Sequence, residues 1–382
     1  MKIVFMGFAS SYTHGMTYQD NMLCNEAIKD RHEVTYLSNP EGYVNGQLCE
    51  LKPENTILSS GLHLIRLPYV KCLNKTLTKK LRLFKGVYKI LEEEQPDVIF
   101  CHNSQYSPII DAAKYKKNNP NVRFYIDTHA DYGNSGRNFL SLHILHRIYY
   151  RHLLNKVLPL VDKYYYISED TKRFAIDNYK VPESIMEYFP LGGVVLENEE
   201  YNAIRCRRRA ELGLSEEDIL YLHSGKLDVL KNTKELLEAY NDISDDQSKM
   251  VIIGSIPEEQ KSVLLPLIDK NDRIIFLGWK SGEELNEFLC ACDIYCQPGS
   301  ASATLQNAIC RNCAIMANPL PQYKVGLNGF GNIFWVSSTE EIKSVFQSVK
   351  ANPGQIRIMK TNSNKCASEL LDYKILSARI YQ

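Results

Sequence analysis

The residues best suited to chemistry begin with two lysines. In LHSGKLDVLKNTKELL (222–237), an apolar run ends at Ser224-Gly225, and Lys226 and Lys231 follow. A glycine at a strand end lets a ligand approach the backbone closely. Two cations beside the next helix start suit a diphosphate, which needs positive charge and N–H donors. Solvated surface lysines would give the same pattern. A second stretch, QPGSASATLQNAICRNCAIM (297–316), places Gly299, Ser300, Ser302 and Thr304 where a helix should begin. Amides at a helix start, with the positive end of its dipole, favour an anion. These residues include no Asp or Glu, so a sugar nucleotide here would lack a carboxylate for its hydroxyls. A capped helix without ligand is the alternative.

Two further turns lie nearer the N-terminus. SSYTHGMTYQDN places Gly15 after the first apolar run, and IDTHADYG ends a run in His129, with Asp131 just beyond. A histidine at a strand's carboxyl end in an α/β fold tends to face a cleft rather than the core.

Short apolar runs alternate with helical patterns and supply the elements that must hold these residues. Runs at 2–8, 33–38, 62–68, 97–103, 123–129 and 163–168 predict strands, separated for the most part by helices such as 18–30. The pattern restarts after 188–200, with strands predicted at 219–225, 249–255, 273–279, 292–298 and 313–319. Helices are predicted at 231–243 and 281–291, the latter with Ser281 as N-cap and Glu284 three residues on. This βαβα order predicts two doubly wound parallel sheets. Ligands of such sheets bind beyond the carboxyl ends of the strands. The cleft between the domains is therefore the expected site.

The bulk properties agree. A chain of 382 residues, 44% hydrophobic and 24% charged, suits two soluble globular domains. Net charge is zero, so nothing calls for nucleic acid as a partner. Residues 1–195 hold 24 Lys+Arg against 20 Asp+Glu, which leaves 21 against 25 in the remainder. No run reaches the ~18–20 apolar residues that span a bilayer. IVFMGF near the start reads as a buried first strand rather than a signal peptide. Eleven cysteines in no regular frame predict buried, inert thiols in a reducing cytoplasm, the Cys310/Cys313 spacing included.

Taken together, the four turns resemble the GT-B-type retaining glycosyltransferases related to sucrose and glycogen synthases and to bacterial polysaccharide transferases (the family 4-like group). That family's G-[RK]-L…K-G element is matched by Gly225, Lys226, Leu227 and Lys231, with Asn232 at the second glycine. Gly254 matches the glycine ending its next strand, and Phe276 to Trp279 match a segment bordering the nucleobase. Gly15 matches its N-domain glycine turn, and His129 the histidine that reaches the donor sugar. The family's paired glutamates are missing. Alignment on NAICRNCAIM puts Asn307 at the ribose-binding Glu, Asn312 at a glycine and Gly299 at the first Glu.

The resemblance implies an acceptor-binding Rossmann-like domain over 1–190 and a nucleotide-sugar domain over 191–364. A helix over 365–382 is expected to pack back on the first domain. It also implies retaining, metal-independent hexosyl transfer, with His129, Lys226 and Lys231 as catalytic residues. Gly15, Gly225, Gly254, Trp279, Gly299, Ser300, Ser302, Thr304 and Asn307 would bind the donor, expected to be UDP-linked. No cofactor or metal is implied. A departing phosphate oxygen takes the acceptor's proton, so positioning and charge stabilisation carry catalysis. Two rivals share the architecture: a sugar-nucleotide epimerase, and a non-catalytic sugar-nucleotide binder favoured by the missing Glu pair.

The expected acceptor is a glycan or lipid-linked glycan in cell-surface polysaccharide synthesis (lipopolysaccharide or capsule). The expected location is cytoplasmic, peripheral on the inner membrane face. The segment 71–90 holds Lys71, Lys75, Lys79, Lys80, Arg82, Lys85 and Lys89 without an acid. Beside them run Leu73, Leu77, Leu81, Phe84 and Tyr88, a pattern that suits an anionic membrane surface. The segment 142–156, with Arg147 and Arg151 among tyrosines, is a second candidate. Two ordinary amphipathic helices would read the same way.

Overall fold

A computed structural model describes every residue except 45–46, 72–73 and 244–246. Leu73 therefore lies outside the described residues. The chain divides into two compact units, 1–190 with 373–382, and 191–372.

The first unit contains β1 (Lys2–Gly7), β2 (Glu33–Ser38), β3 (Glu41–Val44), β4 (Gln47–Glu50) and β5 (Glu54–Ile57). It continues with β6 (His63–Arg66), β7 (Val98–Cys101), β8 (Arg123–Thr128), β9 (Lys163–Tyr166) and β10 (Met186–Tyr188). Eight of these form one sheet, ordered β10-β9-β8-β7-β1-β2-β6-β5. Only the β5–β6 pairing is antiparallel within it. β3 and β4 pair as a separate antiparallel hairpin. The central strands are apolar on both faces because helices cover both, and Ile3 to Met6, Val98 to Cys101 and Phe124 to Ile126 are buried.

The C-terminal helix Tyr373–Tyr381 belongs to this unit and packs along Gln19–Lys29. Ser377 donates to the Leu23 carbonyl (3.0 Å), Arg379 to the Tyr188 carbonyl (2.7 Å), and Arg123 to the Tyr381 carbonyl (2.8 Å).

The second unit contains β11 (Ile219–Lys226), β12 (Ser248–Ser255), β13 (Ile274–Phe276), β14 (Ile294–Gln297), β15 (Ala314–Ala317) and β16 (Ile333–Trp335). All six are parallel, ordered β13-β12-β11-β14-β15-β16. That is the order of a dinucleotide-binding sheet, and it reverses direction between β11 and β14. The helix Gly282–Ala291 starts at the predicted Ser281 cap with a full capping box to Glu284.

Asp293, just before β14, ties together the opposite, N-terminal end of this sheet. Its carboxylate accepts from Arg205 (2.9 Å), Arg209 (3.0 Å), Lys360 (2.9 Å) and the Leu220 amide (3.0 Å). Burial opposes its charge, and the three cations overcome this and hold its pKa down to about 2. A cavity of about 810 Å³ opens beside it, lined by Tyr201, Arg205, Asp293 and Lys360 among others. It lies at the amino ends of the strands, away from their carboxyl ends.

Cys290, Cys292, Cys296, Cys310 and Cys313 are free and buried. Burial raises the Cys290 thiol to about 12 and Cys310 higher still, so both stay protonated. Among the described residues no helix is long and apolar enough to cross a membrane. In the basic segment, Lys75 pairs with Glu50 (2.7 Å), Lys79 with Glu41, and Lys89 with Glu93 (3.3 Å). Phe84 is buried and Tyr88 accepts from Asn118 (2.9 Å).

Candidate functional site

The switch point of the second sheet gathers most of the residues singled out in this unit. Gly225 (φ +136°) and Gly254 (φ +147°), each one residue before the end of β11 and β12, are paired in register. A Cβ on Gly254 would sit 1.8 Å from the Gly225 carbonyl oxygen, so the two strand ends come together only as glycines.

β14 runs into Pro298 and Gly299 beside the turn Val229–Lys231. A Cβ on Gly299 would lie 2.2 Å from the Leu230 carbonyl oxygen, and the Ser300 amide donates to that same oxygen (2.7 Å). Asn232 adopts the left-handed conformation (φ +53°) and donates to the Pro298 carbonyl (3.1 Å). Asn312, at the other family glycine, is also left-handed (φ +61°). Asparagine tolerates this region better than most other side chains, which suits it to both positions.

Lys231 reaches over Gly225, where an added Cβ would meet its Cε at 3.3 Å, and donates to the Ala301 carbonyl (3.4 Å). Burial lowers its pKa, with Asp228 acting against this. Lys226 ends β11 with an exposed side chain. One lysine is thus half-buried and fixed by the loop, and the other is free to swing in.

Two residues that the sequence reading did not single out set this loop. His223 is buried, its Nδ1 on the Cys296 carbonyl (2.7 Å) and its Nε2 on Thr233 Oγ1 (2.9 Å). Burial pushes its pKa down to about 4, so it is a neutral strut between β11, β14 and the helix Thr233–Asn241. Gln297, buried, accepts from the Tyr295 hydroxyl (3.1 Å) and donates to the Ser300 carbonyl. Sequence pattern hides both, because each is a polar residue inside an apolar strand.

The stretch after Gly299 departs from the expected geometry. The helix begins only at Thr304 and spans seven residues, to Cys310. The Ser300 amide is committed to Leu230, and the Ser302 amide donates to the Tyr323 hydroxyl (2.6 Å). The expectation of outward-pointing amides fails at these two positions. The short loop folds back on its neighbours instead. Thr304 donates its amide to Ser302 Oγ (3.3 Å). Asn307 lies against the backbone of Gly193, where an added Cβ would meet its Oδ1 at 2.9 Å. Trp279 follows β13 and is 74% exposed. Gly278 before it is left-handed (φ +67°) and its carbonyl accepts from the Gly254 amide (2.8 Å).

In the first unit Gly15 occupies an exposed left-handed turn (φ +79°), with the Met16 amide on the Thr13 carbonyl (3.4 Å). His129 follows β8 as part of a buried cluster. Asp127 Oδ2 contacts His102 Nδ1 (2.9 Å) and His129 Nε2 (3.3 Å), and its Oδ1 accepts from the Asn103 amide (2.6 Å). Burial alone lowers the His102 pKa, but the Asp127 carboxylate, helped by Asp20, raises it to about 9. Burial likewise opposes the Asp127 charge, and the two imidazoles overcome this and hold its pKa far below the carboxylate range. The inward Nε2 contact leaves Nδ1 of His129 without a hydrogen bond among the described residues. The three ligand-capable atoms lie within 4.8 Å of one another. The hydrogen-bonded arrangement, with one carboxylate oxygen shared between two rings, accounts for that closeness.

The family model "Glycosyl transferases group 1" matches residues 205–363, and "Glycosyltransferase Family 4" matches 21–192. No curated protein sequence matches the chain. Among solved structures, Anabaena Alr3699/HepE in complex with UDP aligns at TM-score 0.64 and 14% identity, over 100% of this chain and 98% of that one. A glycosyltransferase from Rickettsia africae aligns at TM-score 0.66 and 12% identity, over 99% and 96%. WaaG, a glycosyltransferase involved in lipopolysaccharide biosynthesis, aligns at TM-score 0.59 and 13% identity, over 99% of both chains. At these identities the structural likeness shows the fold, GT-B, while the two family models carry the assignment. The chain belongs to the group 1, family 4 glycosyltransferases, enzymes that move a sugar from a nucleotide-sugar donor with retention.

Proposed function

We propose that the chain transfers a hexose from a UDP-linked donor to a glycan or lipid-linked acceptor, in the synthesis of a cell-surface polysaccharide on the cytoplasmic side of a membrane. The observation that carries the donor site is the meeting of Gly225, Lys231 and Gly299 at the β11/β14 switch point. Bare glycine backbone there admits a diphosphate, and Lys231 supplies the charge it needs. The choice of uridine leans on Alr3699/HepE, which was solved with UDP and with UDP-glucose.

Lys231 and Lys226 stabilise the negative charge that develops on the departing diphosphate. The acceptor hydroxyl attacks the anomeric carbon on the face the diphosphate leaves. The C–O bond to phosphate breaks, and a departing phosphate oxygen takes the hydroxyl proton. Ser300, Ser302 and Thr304 line the loop beside the sugar and phosphates, Asn307 replaces the ribose-binding carboxylate, and exposed Trp279 flanks the base. In the first unit, Gly15 and His129 are proposed for the donor on their match to the family's motifs, His129 through its Nδ1.

Neither rival has a specific observation in its favour. An epimerase has no use for the Lys226/Lys231 pair, and transfer driven by charge and position does not need the missing glutamates. The test is a thermal-shift panel of UDP, GDP, ADP and their sugars. Stabilisation by UDP species above the others is the expected result. Preference for GDP or ADP would reject the uridine assignment, and no response to any nucleotide would reject the donor site.

A further inference from the structure

The helix that follows His129 presents an apolar stripe to solvent. It runs as a wide π-helix over Leu140–Tyr150 and continues as an α-helix over Arg151–Val157. One face is packed, with His146, Tyr150, Leu154 and Val157 buried. On the other, Phe139 and Leu140 are each 70% exposed, Ile144 47% and Ile148 61%. Leu140, Ile144 and Ile148 recur every fourth residue, which keeps them on one face of a helix. Isolated exposed apolar residues need no explanation, but four large ones in a row mark an interaction surface.

The charge around the stripe identifies what covers it. From 132 to 161 there is no Asp or Glu, while Arg137, Arg147, Arg151 and Lys156 all fall within it. Arg147 is held by neutral groups, Asn178 Oδ1 (2.9 Å) and His143 Nδ1 (3.3 Å), and Arg137 donates to the Gly133 carbonyl (2.6 Å). None of the four cations meets a carboxylate at ion-pair distance among the described residues. Their charge is therefore available to a partner. The segment 71–90 differs: three of its lysines are ion-paired, and Phe84 is buried in the core.

We infer that Phe139, Leu140, Ile144 and Ile148 insert into the surface of an anionic lipid bilayer, with Arg137, Arg147, Arg151 and Lys156 on the headgroups. Apolar side chains on one face, flanked by unpaired cations, are what an interfacial helix needs. Each cation near an anionic surface strengthens the attraction, within about a Debye length of it. This inference goes beyond the transfer reaction and stands independently of the donor.

The test is flotation of the full chain with vesicles of phosphatidylcholine containing a third phosphatidylglycerol, against pure phosphatidylcholine. Binding to the anionic vesicles alone, weakened by salt, is the expected result. Combined Phe139→Ser, Leu140→Ser, Ile144→Ser and Ile148→Ser substitutions should weaken it by about tenfold or more. All four side chains are surface residues, so thermal melting should be unchanged, and donor-induced stabilisation should persist. A Phe139→Trp variant gives a second reading, a blue-shifted emission on anionic vesicles. Absence of vesicle binding by the unaltered chain would overturn the inference, as would equal binding by the four-fold variant. A concentration-dependent dimer that the same four substitutions abolish, without vesicle binding, would overturn it too and assign the stripe to a second copy of the chain.

Discussion

Replacing Asp127 by Asn tests whether the buried cluster behind His129 is an ion pair. Asp127 is fully buried and shares one oxygen between His102 and His129. The rise of the His102 pKa from 6.5 to about 9 corresponds to about 3 kcal/mol of favourable interaction with the folded protein. The sign follows from linkage. A group whose pKa is raised by folding stabilises fully below its unfolded value, near 6.5, and loses that contribution as pH rises through about 9. Asp127, whose pKa folding lowers, contributes above about 3.9 and loses its share in acid. Both contributions are therefore complete between about pH 5 and 6. The Asp127→Asn side chain keeps the volume and can still accept from the Asn103 amide, but carries no charge. At pH 6 the variant should be about 3 kcal/mol less stable, which lowers the melting temperature of a unit this size by roughly 6–12 °C. At pH 9.5, above the raised value, most His102 is neutral in the unaltered protein, and the gap should shrink to about 1 kcal/mol, that of an ordinary buried hydrogen bond. Calorimetry of the full chain at the two pH values reads this, with hydrogen exchange at β7 and β8 assigning the transition to the first unit. An equal gap at both pH values would refute the ion pair, and no gap at pH 6 would refute any role for the carboxylate.

Three other perturbations address the donor site. Lys231→Ala should lower kcat/KM about a hundredfold with UDP-sugar donors, since one charged contact to a developing charge is lost; unchanged turnover would remove Lys231 from the diphosphate. Gly299→Ala forces a Cβ onto the Leu230 carbonyl and should displace the loop. UDP binding should weaken by tenfold or more while β11 and β14 stay protected in hydrogen exchange, and retained UDP affinity would mean that the loop is not part of the site. Asn307→Ala should weaken UDP binding with little change in melting temperature. Arg311→Ala should instead cost about 1–3 kcal/mol of stability, because Arg311 is buried and donates to the Val194 carbonyl; the reverse pattern would move the ribose contact off Asn307.

The strands were legible in the sequence where burial on both faces made them continuous apolar runs. β1, β2, β8, β11 and β12 lie within a residue of the predicted spans. β5, β10 and β16 were not, because short edge strands of three or four residues carry too little pattern, and β3 and β4 form a small hairpin of mixed polarity. Glycine positions were legible for a steric reason. Gly225, Gly254 and Gly299 each stand where a Cβ meets backbone or Lys231. What spacing could not reveal were contacts between distant segments. His102 and Asp127 stand 25 residues apart in the chain, and only the pairing of β7 with β8 brings them to 2.9 Å. The segment 142–156 was legible as a candidate membrane surface, but not which face of 139–148 is exposed, since a helix with apolar residues on several sides gives no sign of which side is left uncovered.

The absence of acid from 297–316 has a structural counterpart in how the loop is held. A charged glutamate at the helix start would need water, a cation or several N–H donors. Here the amides of Ser300 and Ser302 are already taken by Leu230 and Tyr323, and Gln297 takes the Ser300 carbonyl from below. A buried neutral network of Ser224, Tyr295 and Gln297 supports the loop. Such a network fixes the backbone only while each member stays paired. Two of the loop's backbone amides are thus committed before a carboxylate could use them. On the proposed reaction, the rigid part of the site is the backbone at Gly225, Gly254 and Gly299 with Lys231 across it, where the charge would leave. Recognition of the sugar and ribose would then fall to neutral side chains, whose hydrogen bonds are weaker than those of a carboxylate. The diphosphate should accordingly dominate donor affinity. UDP and UDP-sugars should bind within a few fold of each other, and uridine alone should bind at least a hundredfold more weakly. Calorimetric titration of the three ligands tests this division, and tight binding of uridine would overturn it.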